Sequence, residues 1–238
     1  MEELRVMSFN LLVSRRSPER TGRVLELIRS YSPDLLGVQE ASPDWMKDLC
    51  GLDGYCAVGQ GREGDARGEY SAVLFRTDCF SLCSQRTLWL SDTPELVSKH
   101  PSSACFRIMT EAVLRRKSDG QMLTMVNTHL DHVGADARQA QVRVLLSQMC
   151  PQGAVIVSGD FNCTPDSGPY REMIQAGFRD AADGRSPGTF HGFGTANSVI
   201  DYLFLCPGVN LRSYQVLNEK IRGEYPSDHY PVLAEIVL

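Results

Sequence analysis

One layout occurs twice along this chain: an apolar run, an amphipathic segment and a second apolar run. In the first unit, residues 5–10 and 35–39 are the apolar runs. Between them Ser17 and Pro18 predict a helix start, because Ser is a favoured N-cap and Pro suits the first helical turn. Apolar residues at helical spacing follow in residues 24–31. The unit therefore predicts two buried strands joined by a helix.

The second unit repeats this layout with different letters. Residues 123–129 and 154–158 are predicted strands, and residues 135–150 are a predicted helix. Further strands are predicted at residues 70–76, 80–88, 108–115, 200–205 and 231–237, whereas the Gly-rich residues 59–68 and 184–194 are predicted loops. No linker interrupts the pattern, so we expect one domain over residues 1–238. Many strands with few helices predict an α/β (α+β) protein with two packed sheets and helices outside.

Polar side chains follow or interrupt these apolar runs. Carboxylates and amides embedded in apolar segments are costly unless they are paired, hydrogen-bonded or bound to metal. Several such residues at strand ends predict that they meet at one edge of the sheets. They are Asn10, Glu40, Glu69, His129, Asp160, Asn162, Asp201, Asp228 and His229.

These residue types fit phosphoryl transfer. Carboxylate and amide oxygens suit a hard ion such as Mg²⁺ or Mn²⁺, which polarises a phosphate and stabilises a leaving oxygen. An Asp–His pair fixes one imidazole tautomer and leaves the other ring nitrogen for the phosphate. The pattern therefore predicts a divalent-metal-dependent phosphoesterase.

The ordered motifs resemble the endonuclease/exonuclease/phosphatase superfamily, particularly a poorly characterised bacterial branch. The resemblance covers positions 8 to 232, and its most specific parts are GDFN at residues 159–162 and SDHYPV at residues 227–232. It implies a DNase I-like, four-layered α/β/β/α sandwich. The other motifs are SFN at 8–10, VQE at 38–40, NTH at 127–129 and IDY at 200–202.

The resemblance also implies roles. Glu40, assisted by Asn10, would hold the metal, with Asp228 close to it. Asp160 would orient or deprotonate the attacking water, and Asn162 would hydrogen-bond the phosphate. Whether Asp160 or the histidine takes the proton stays open.

Three further residues complete the expected catalytic set. His229, paired with Asp201, would contact the scissile phosphate. His129 stands where AP endonucleases carry a tyrosine and matches the DNase I type. Glu69 stands where DNase I-like enzymes place the acid that pairs with this second histidine.

Three residues are candidates for substrate binding. Arg107 is either a phosphate clamp or an exposed structural arginine. His191, in the second Gly-rich segment, is either a loop residue without a functional role or a residue that contacts the substrate. Tyr70 follows Glu69 at the start of a predicted strand and is included with them.

Net charge and composition say less about the substrate than the motif residues do. The net charge of -5 argues against extensive non-specific binding to duplex nucleic acid. A nucleic-acid substrate stays an alternative, because a local basic rim around the site could offset the net charge. We expect phosphodiester hydrolysis of the nuclease kind. The alternative is a phosphatase or phosphodiesterase acting on small-molecule, sugar, inositol or lipid phosphates, and the minor alternative is a non-catalytic binding module. With no signal-peptide pattern and no apolar run of membrane-spanning length, we expect a cytoplasmic monomer.

Overall fold

The computed structural model describes residues 3–195 and 197–238. They form two six-stranded sheets packed face to face, with helices on the outer side of each sheet. The predicted four-layered α/β/β/α sandwich is confirmed. In these residues, no helix combines the length and apolar composition needed to cross a membrane.

The helices are α1 (Pro18–Tyr31), α2 (Pro43–Leu49), α3 (Ala135–Gln148) and α4 (Gly168–Gln175). The strands are β1 (Leu4–Asn10), β2 (Leu35–Ala41), β3 (Tyr55–Val58), β4 (Tyr70–Arg76), β5 (Phe80–Trp89), β6 (Ile108–Arg116), β7 (Met122–His129), β8 (Ala154–Asp160), β9 (Arg179–Asp180), β10 (Asp201–Leu205), β11 (Asn210–Val216) and β12 (Val232–Val237). The first sheet has the order β11-β12-β1-β2-β4-β3, and the second has the order β5-β6-β7-β8-β10-β9.

The two repeated units lie at the centres of the two sheets. β1 and β2 pair in parallel through α1, and β7 and β8 pair in parallel through α3. Parallel strands joined by a helix place their carboxyl ends at the same edge of a sheet. The duplicated layout seen in the sequence therefore brings two sets of strand ends together, one from each sheet.

Side-chain alternation along β1 explains the layering. Leu4 and Val6 point into the core between the sheets, whereas Met7 and Phe9 pack under α1 and α2. α3 and α4 cover the second sheet in the same way. Because every central strand is covered on both faces, its sequence is a nearly continuous apolar run.

A polar bridge crosses the core between the sheets. Asn127 of β7 donates hydrogen bonds from Nδ2 to the carbonyls of Val38 and Ala72, both at 2.8 Å. Its Oδ1 accepts from Gln39 Nε2 at 2.7 Å and from Ser158 Oγ at 2.9 Å. All the polar atoms of the Asn127 side chain are thus bonded, which makes its burial tolerable and ties the two sheets together.

Elements absent from the sequence prediction are short or lie at sheet edges. They are α2, α4, β3, β9 and β11. β11 alternates between half-buried and exposed side chains, so its apolar signal is weak. The helix predicted over residues 135–150 ends at Gln148, and the two Gly-rich segments contain no helix or strand among their described residues.

Candidate active site

Strand ends from the two sheets meet at one edge of the sandwich. Asn10 ends β1, while His129 and Asp160 lie side by side at the ends of β7 and β8. Asp201 is the antiparallel partner of Asp160 on β10. Asn10 Nδ2 lies 3.0 Å from Asp160 Oδ2, so a direct hydrogen bond joins the two sheets at this point.

Glu40 reaches the site through an irregularity in β2. Its φ is 56°, in the left-handed region, and the pairing of β2 with β4 shifts register between Val38 and Ala41. A bulge of this kind re-aims a side chain relative to the normal strand alternation. Glu40 Oε2 accepts from the Val13 N–H at 2.9 Å, and Oε1 accepts from Asn10 Nδ2 at 3.2 Å.

Asp160 is the most enclosed carboxylate of the site, with 1% of its surface exposed. Oδ1 accepts from the Asn162 N–H at 2.9 Å, and Oδ2 lies 3.8 Å from His229 Nε2. Burial, reinforced by the neighbouring Asp201 carboxylate, raises the pKa of Asp160 to about 7. A carboxylate with a pKa in this range can accept a proton near neutral pH.

His229 and Asp201 form the expected pair. His229 Nδ1 lies 2.9 Å from Asp201 Oδ2, and both side chains are almost fully buried. Burial alone would lower the pKa of His229, but the Asp201 charge and hydrogen bond, with Asp160 and Asp228 nearby, raise it to about 10. The His229 imidazole is therefore positively charged, and its Nε2 points toward Asp160.

The second histidine differs in charge. Burial, together with the nearby Arg107 charge, lowers the pKa of His129 well below its usual value, so this imidazole is neutral. Asn162 Nδ2 lies 2.9 Å from His129 Nε2 and donates to the Leu130 carbonyl at 3.0 Å. Asn162 itself has a φ of 48°, which turns the chain sharply after β8.

A cavity of about 300 Å³ opens over these groups. Asn10 and Asp201 lie directly behind its wall, where they hold Asp160 and His229 through hydrogen bonds. Eight residues predicted from the sequence line the cavity: Glu40, Glu69, Arg107, His129, Asp160, Asn162, Asp228 and His229.

Two arginines also line the cavity. Arg107 is 4% exposed, and its Nη2 lies 3.2 Å from His132 Nδ1, so the exposed structural arginine considered as an alternative is wrong. Arg62, which the sequence did not single out, also lines the cavity. Its signal was hidden because it lies in a Gly-rich loop, whose charged residues are normally solvated.

Glu69 pairs differently from the expectation. Its carboxylate forms a two-pronged ion pair with Arg62, at 2.7 and 2.8 Å, and no hydrogen bond joins it to His129 in the described part of the chain. A planar guanidinium matches a carboxylate better than one ring nitrogen does. The predicted Glu69–His129 pair is therefore replaced by a Glu69–Arg62 pair.

The remaining substrate-binding candidates lie off the main cavity. Tyr70 lines a small recess behind Glu40 and Arg107. His191 is 3% exposed and stacks on Tyr230, with ring centroids 4.2 Å apart, beside Tyr225. His191 is thus an aromatic packing residue behind Asp228, whose carbonyl accepts from its backbone N–H at 2.9 Å.

Asp131 is a positioning residue that the sequence analysis did not assign. Its Oδ2 accepts from Ser103 Oγ and the Ala104 N–H, both at 2.8 Å, and its Oδ1 accepts from the Gly134 N–H at 2.7 Å. It thereby joins the loop that leads to Arg107 to the start of α3. The only feature of the sequence that could have indicated this role is that Asp131 is a polar residue shortly after a predicted strand.

The donor set fits a hard divalent cation. Glu40 and Asp228 present half-buried carboxylates to the cavity, with no Lys or Arg hydrogen-bonded to either side chain in the described residues. Asp160, Asp201 and His229 also lie close enough to share an ion. However, the Asp201 carboxylate already bonds His229 Nδ1 at 2.9 Å, which leaves Glu40 and Asp228 as the lining carboxylates with no cationic partner among the described residues.

The sequence model of the endonuclease/exonuclease/phosphatase family matches residues 7–229 of this chain. The chain belongs to this family. Comparison with curated proteins gave no match.

Several solved structures are similar to this chain over its whole length. A Bacteroides vulgatus endonuclease/exonuclease/phosphatase is 29% identical, with full coverage of both chains and a TM-score of 0.92. The mannosyl-6-phosphatase of Bacteroides thetaiotaomicron is 28% identical, covering 99% of this chain and 100% of its own, with a TM-score of 0.89. D. rerio TDP2 with a single-strand DNA product is 18% identical over both full chains, with a TM-score of 0.80, and shares the fold.

Proposed function

We propose that this protein is a divalent-metal-dependent phosphoester hydrolase that acts on a small phosphorylated substrate. The observation that carries the proposal is the convergence of Glu40, Asp160 and His229 on one cavity of about 300 Å³. Membership of a family of phosphoesterases supports the reaction class.

Glu40 and Asp228 would hold the cation, which suits Mg²⁺ or Mn²⁺ because its ligands are carboxylate oxygens. When bound, the ion supplies Lewis-acid polarisation of the phosphate and stabilises negative charge on its oxygens. Asn10 holds the Glu40 and Asp160 carboxylates at a fixed separation by donating to both.

The pKa values of Asp160 and His229 favour Asp160 as the base. Its pKa is raised to about 7, so it is ready to accept a proton from the attacking water. His229 is already protonated, and its charge would stabilise the oxygens of the phosphate in the transition state. Asn162 would hold the His129 ring beside them, because its amide nitrogen lies 2.9 Å from His129 Nε2 and donates to the Leu130 carbonyl.

The size and charge of the cavity favour a small phosphate monoester. A volume of about 300 Å³ lies at the lower end of the roughly 300–1,000 Å³ found for small-molecule sites. Arg62 and Arg107 line the cavity and would contact a phosphate oxygen, since guanidinium groups match phosphate geometry. The mannosyl-6-phosphatase among the similar structures supports a phosphorylated sugar as the first class to test.

Nuclease activity is the second candidate. The observation that favours it is the presence of two histidines close to Asp160, with His129 Nε2 at 3.4 Å and His229 Nε2 at 3.8 Å from Asp160 Oδ2. A nuclease would have to place an extended backbone across the same cavity, against a net charge of -5.

Paired substrates separate these candidates. We expect hydrolysis of p-nitrophenyl phosphate and mannose 6-phosphate with Mg²⁺ or Mn²⁺, loss of turnover in EDTA, and recovery when the metal is restored. Bis-p-nitrophenyl phosphate, single-stranded oligonucleotides and plasmid DNA test the nuclease reading. Rapid cleavage of nucleic acid without monoester turnover would replace the first proposal by the second.

Single substitutions test the catalytic unit. D160A and H229A should each lower kcat by roughly a thousandfold or more, because groups acting as a unit cannot be removed singly without large loss. D166N, an exposed carboxylate change in the loop before α4, is the matched control and should retain activity. Full activity in D160A or H229A would overturn the assignment.

A further inference from the structure

A second cavity, here called the cationic cavity, lies next to the active site. It has a volume of about 400 Å³, and its walls come from the loop before α1, from α1 itself and from the segment before Asp228. The side chains that matter are Arg15, Arg20, Arg23, Lys220, Phe193 and Tyr225.

Arg20 holds the walls of the cationic cavity in place. It is 4% exposed, and its guanidinium donates to five backbone carbonyls, which accounts for all its N–H groups. Four of these carbonyls belong to residues 11–15, and the fifth belongs to Pro226. Arg20 therefore fixes the loop that carries Arg15 against the segment that carries Tyr225.

The same two segments contribute to the catalytic centre. The Val13 N–H in the Arg15 loop bonds Glu40 at 2.9 Å. Asp228 follows Tyr225 by three residues and also lines the catalytic cavity. The two cavities therefore share the segments that carry Val13 and Asp228.

The charge of the cavity opposes that of the whole chain. Four cationic side chains and one carboxylate, Glu224, line it, giving a formal charge of +3 in a chain whose net charge is -5. Glu224 is engaged by Arg23 at 2.7 Å, and the buried Nε of Arg23 has no hydrogen-bond partner among the described residues. No carboxylate within the described residues pairs with Arg15 or Lys220.

Aromatic rings underlie the two free cations. The Arg15 guanidinium lies 5.5 Å from the centre of the Phe193 ring, and Lys220 Nζ lies 5.1 Å from the centre of the Tyr225 ring. Cation–π contact restrains these long side chains while leaving their donors available. Such a surface suits an anion with several oxygens, which can accept from more than one cation.

We propose that the cationic cavity binds a second phosphate group of the substrate, while the first is hydrolysed at Asp160. The proposal rests on the proposed function and narrows it to substrates with two phosphate groups. Arg15 and Lys220 supply the principal contacts, and Arg20 holds the walls without contacting the ligand, because its donors are already used.

The first test measures binding without turnover. Calorimetry with inorganic phosphate and metal-free protein in EDTA should show binding that weakens by about tenfold or more in R15E/K220E, since two charge-assisted contacts become repulsive. R115E/K117E makes the same charge change at exposed positions at the end of β6 that lies away from Arg107, and should bind as the wild type does. No phosphate binding, or equal binding by both variants, would overturn the proposal.

The second test uses two substrates that differ by one phosphate. The ratio of kcat/KM for glucose 1,6-bisphosphate to that for glucose 6-phosphate should fall by about tenfold in R15E/K220E and stay constant in R115E/K117E. An unchanged ratio in R15E/K220E would refute the second-phosphate role. Phosphate binding at this cavity in a protein that hydrolyses no monoester or diester would instead refute the proposed function and leave the anion site standing.

Discussion

Asn10 and Asp160 end strands in different sheets, yet the Asn10 amide nitrogen lies 3.0 Å from the Asp160 carboxylate. The same nitrogen lies 3.2 Å from Glu40. The neutral Asn10 amide therefore lies between Glu40, the proposed metal ligand, and Asp160, the proposed base for the attacking water.

Replacing this donor by an acid should disable the site. In N10D a third carboxylate would face Asp160 and Glu40, raising the pKa of Asp160 further because like charges disfavour ionisation. We expect kcat to fall by about 100-fold, and N10A to fall less, by roughly tenfold. Steady-state kinetics at saturating Mg²⁺, with circular dichroism to check folding, measures both, and wild-type kcat in N10D would contradict the role given to Asn10.

Asp201 should control the charge of His229. Burial lowers the pKa of His229, but the charge and hydrogen bond of Asp201, together with Asp160 and Asp228, raise it to about 10. D201N should therefore lower that pKa and leave the imidazole neutral at pH 8. Nuclear magnetic resonance of the ring signals in metal-free protein follows the titration directly. We also expect kcat to drop by about 100-fold or more, as for other His–Asp pairs.

A His229 that still carries its proton at pH 8 in D201N would show that another group supports the charge. D166N serves as the matched control, since it removes an exposed carboxylate and should leave the His229 titration unchanged.

Asp131 should make stability depend on pH in the acid range. Burial alone would raise its pKa, but hydrogen bonds from Gly134, Ser103, Val133 and Cys105 lower it to about 2. Its stabilising effect is therefore present above the ordinary pKa of 3.8 and is lost as the pH falls toward 2. D131N should lower the free energy of unfolding by roughly 1.5–3 kcal/mol at pH 7.

Urea denaturation at pH 7 and pH 3 measures this difference, which should shrink at the lower pH. D136N, at an exposed position in the first turn of α3, provides the comparison. Equal stability of D131N and the wild type at pH 7 would mean that the loop before β6 is held by other contacts.

Gly37 should tolerate no side chain. A Cβ at this position in β2 would lie 2.2 Å from Ser158 Oγ and 2.6 Å from Asn127 Oδ1, inside the polar bridge between the sheets. G37A should therefore lower the free energy of unfolding by roughly 2–4 kcal/mol, through overpacking and lost hydrogen bonds.

The matched control is G22A in the middle of α1, where a Cβ would meet nothing within 4 Å. Alanine is the better helix former, so this change should stabilise the protein by about 0.5–1 kcal/mol. Chemical denaturation compares the two variants, and similar effects on both would argue against close contact between the sheets at Gly37.

The sequence predicted the residues at strand ends well because burial and polarity conflict there. Asp160 and Asn10 stand out within apolar runs, and the order of the motifs resembles that of the family. Arg62 did not stand out, because a charged residue in a Gly-rich loop is unremarkable until the loop folds back over the site. The pairing of Glu69 could not be foreseen for the same reason, since its partner comes from that loop.

Tertiary contacts also decided the place of His191. In the sequence it is one polar residue among glycines, but Tyr225 and Tyr230 come from a distant segment and enclose it. The cationic cavity likewise combines residues near position 20 with residues near positions 193 and 220. Neither arrangement is encoded by local spacing.

The position of β12 between β1 and β11 has a consequence for synthesis on the ribosome. β1 is made before the other described strands, but its antiparallel neighbour pairs Leu4 with Ile236, so this edge stays open until more than two hundred further residues have been translated. Asp228 and His229 directly precede that late strand. A nascent chain therefore obtains His229 only shortly before the strand that closes the first sheet, and until then the unpaired edge of β1 is open to aggregation or to binding by a chaperone.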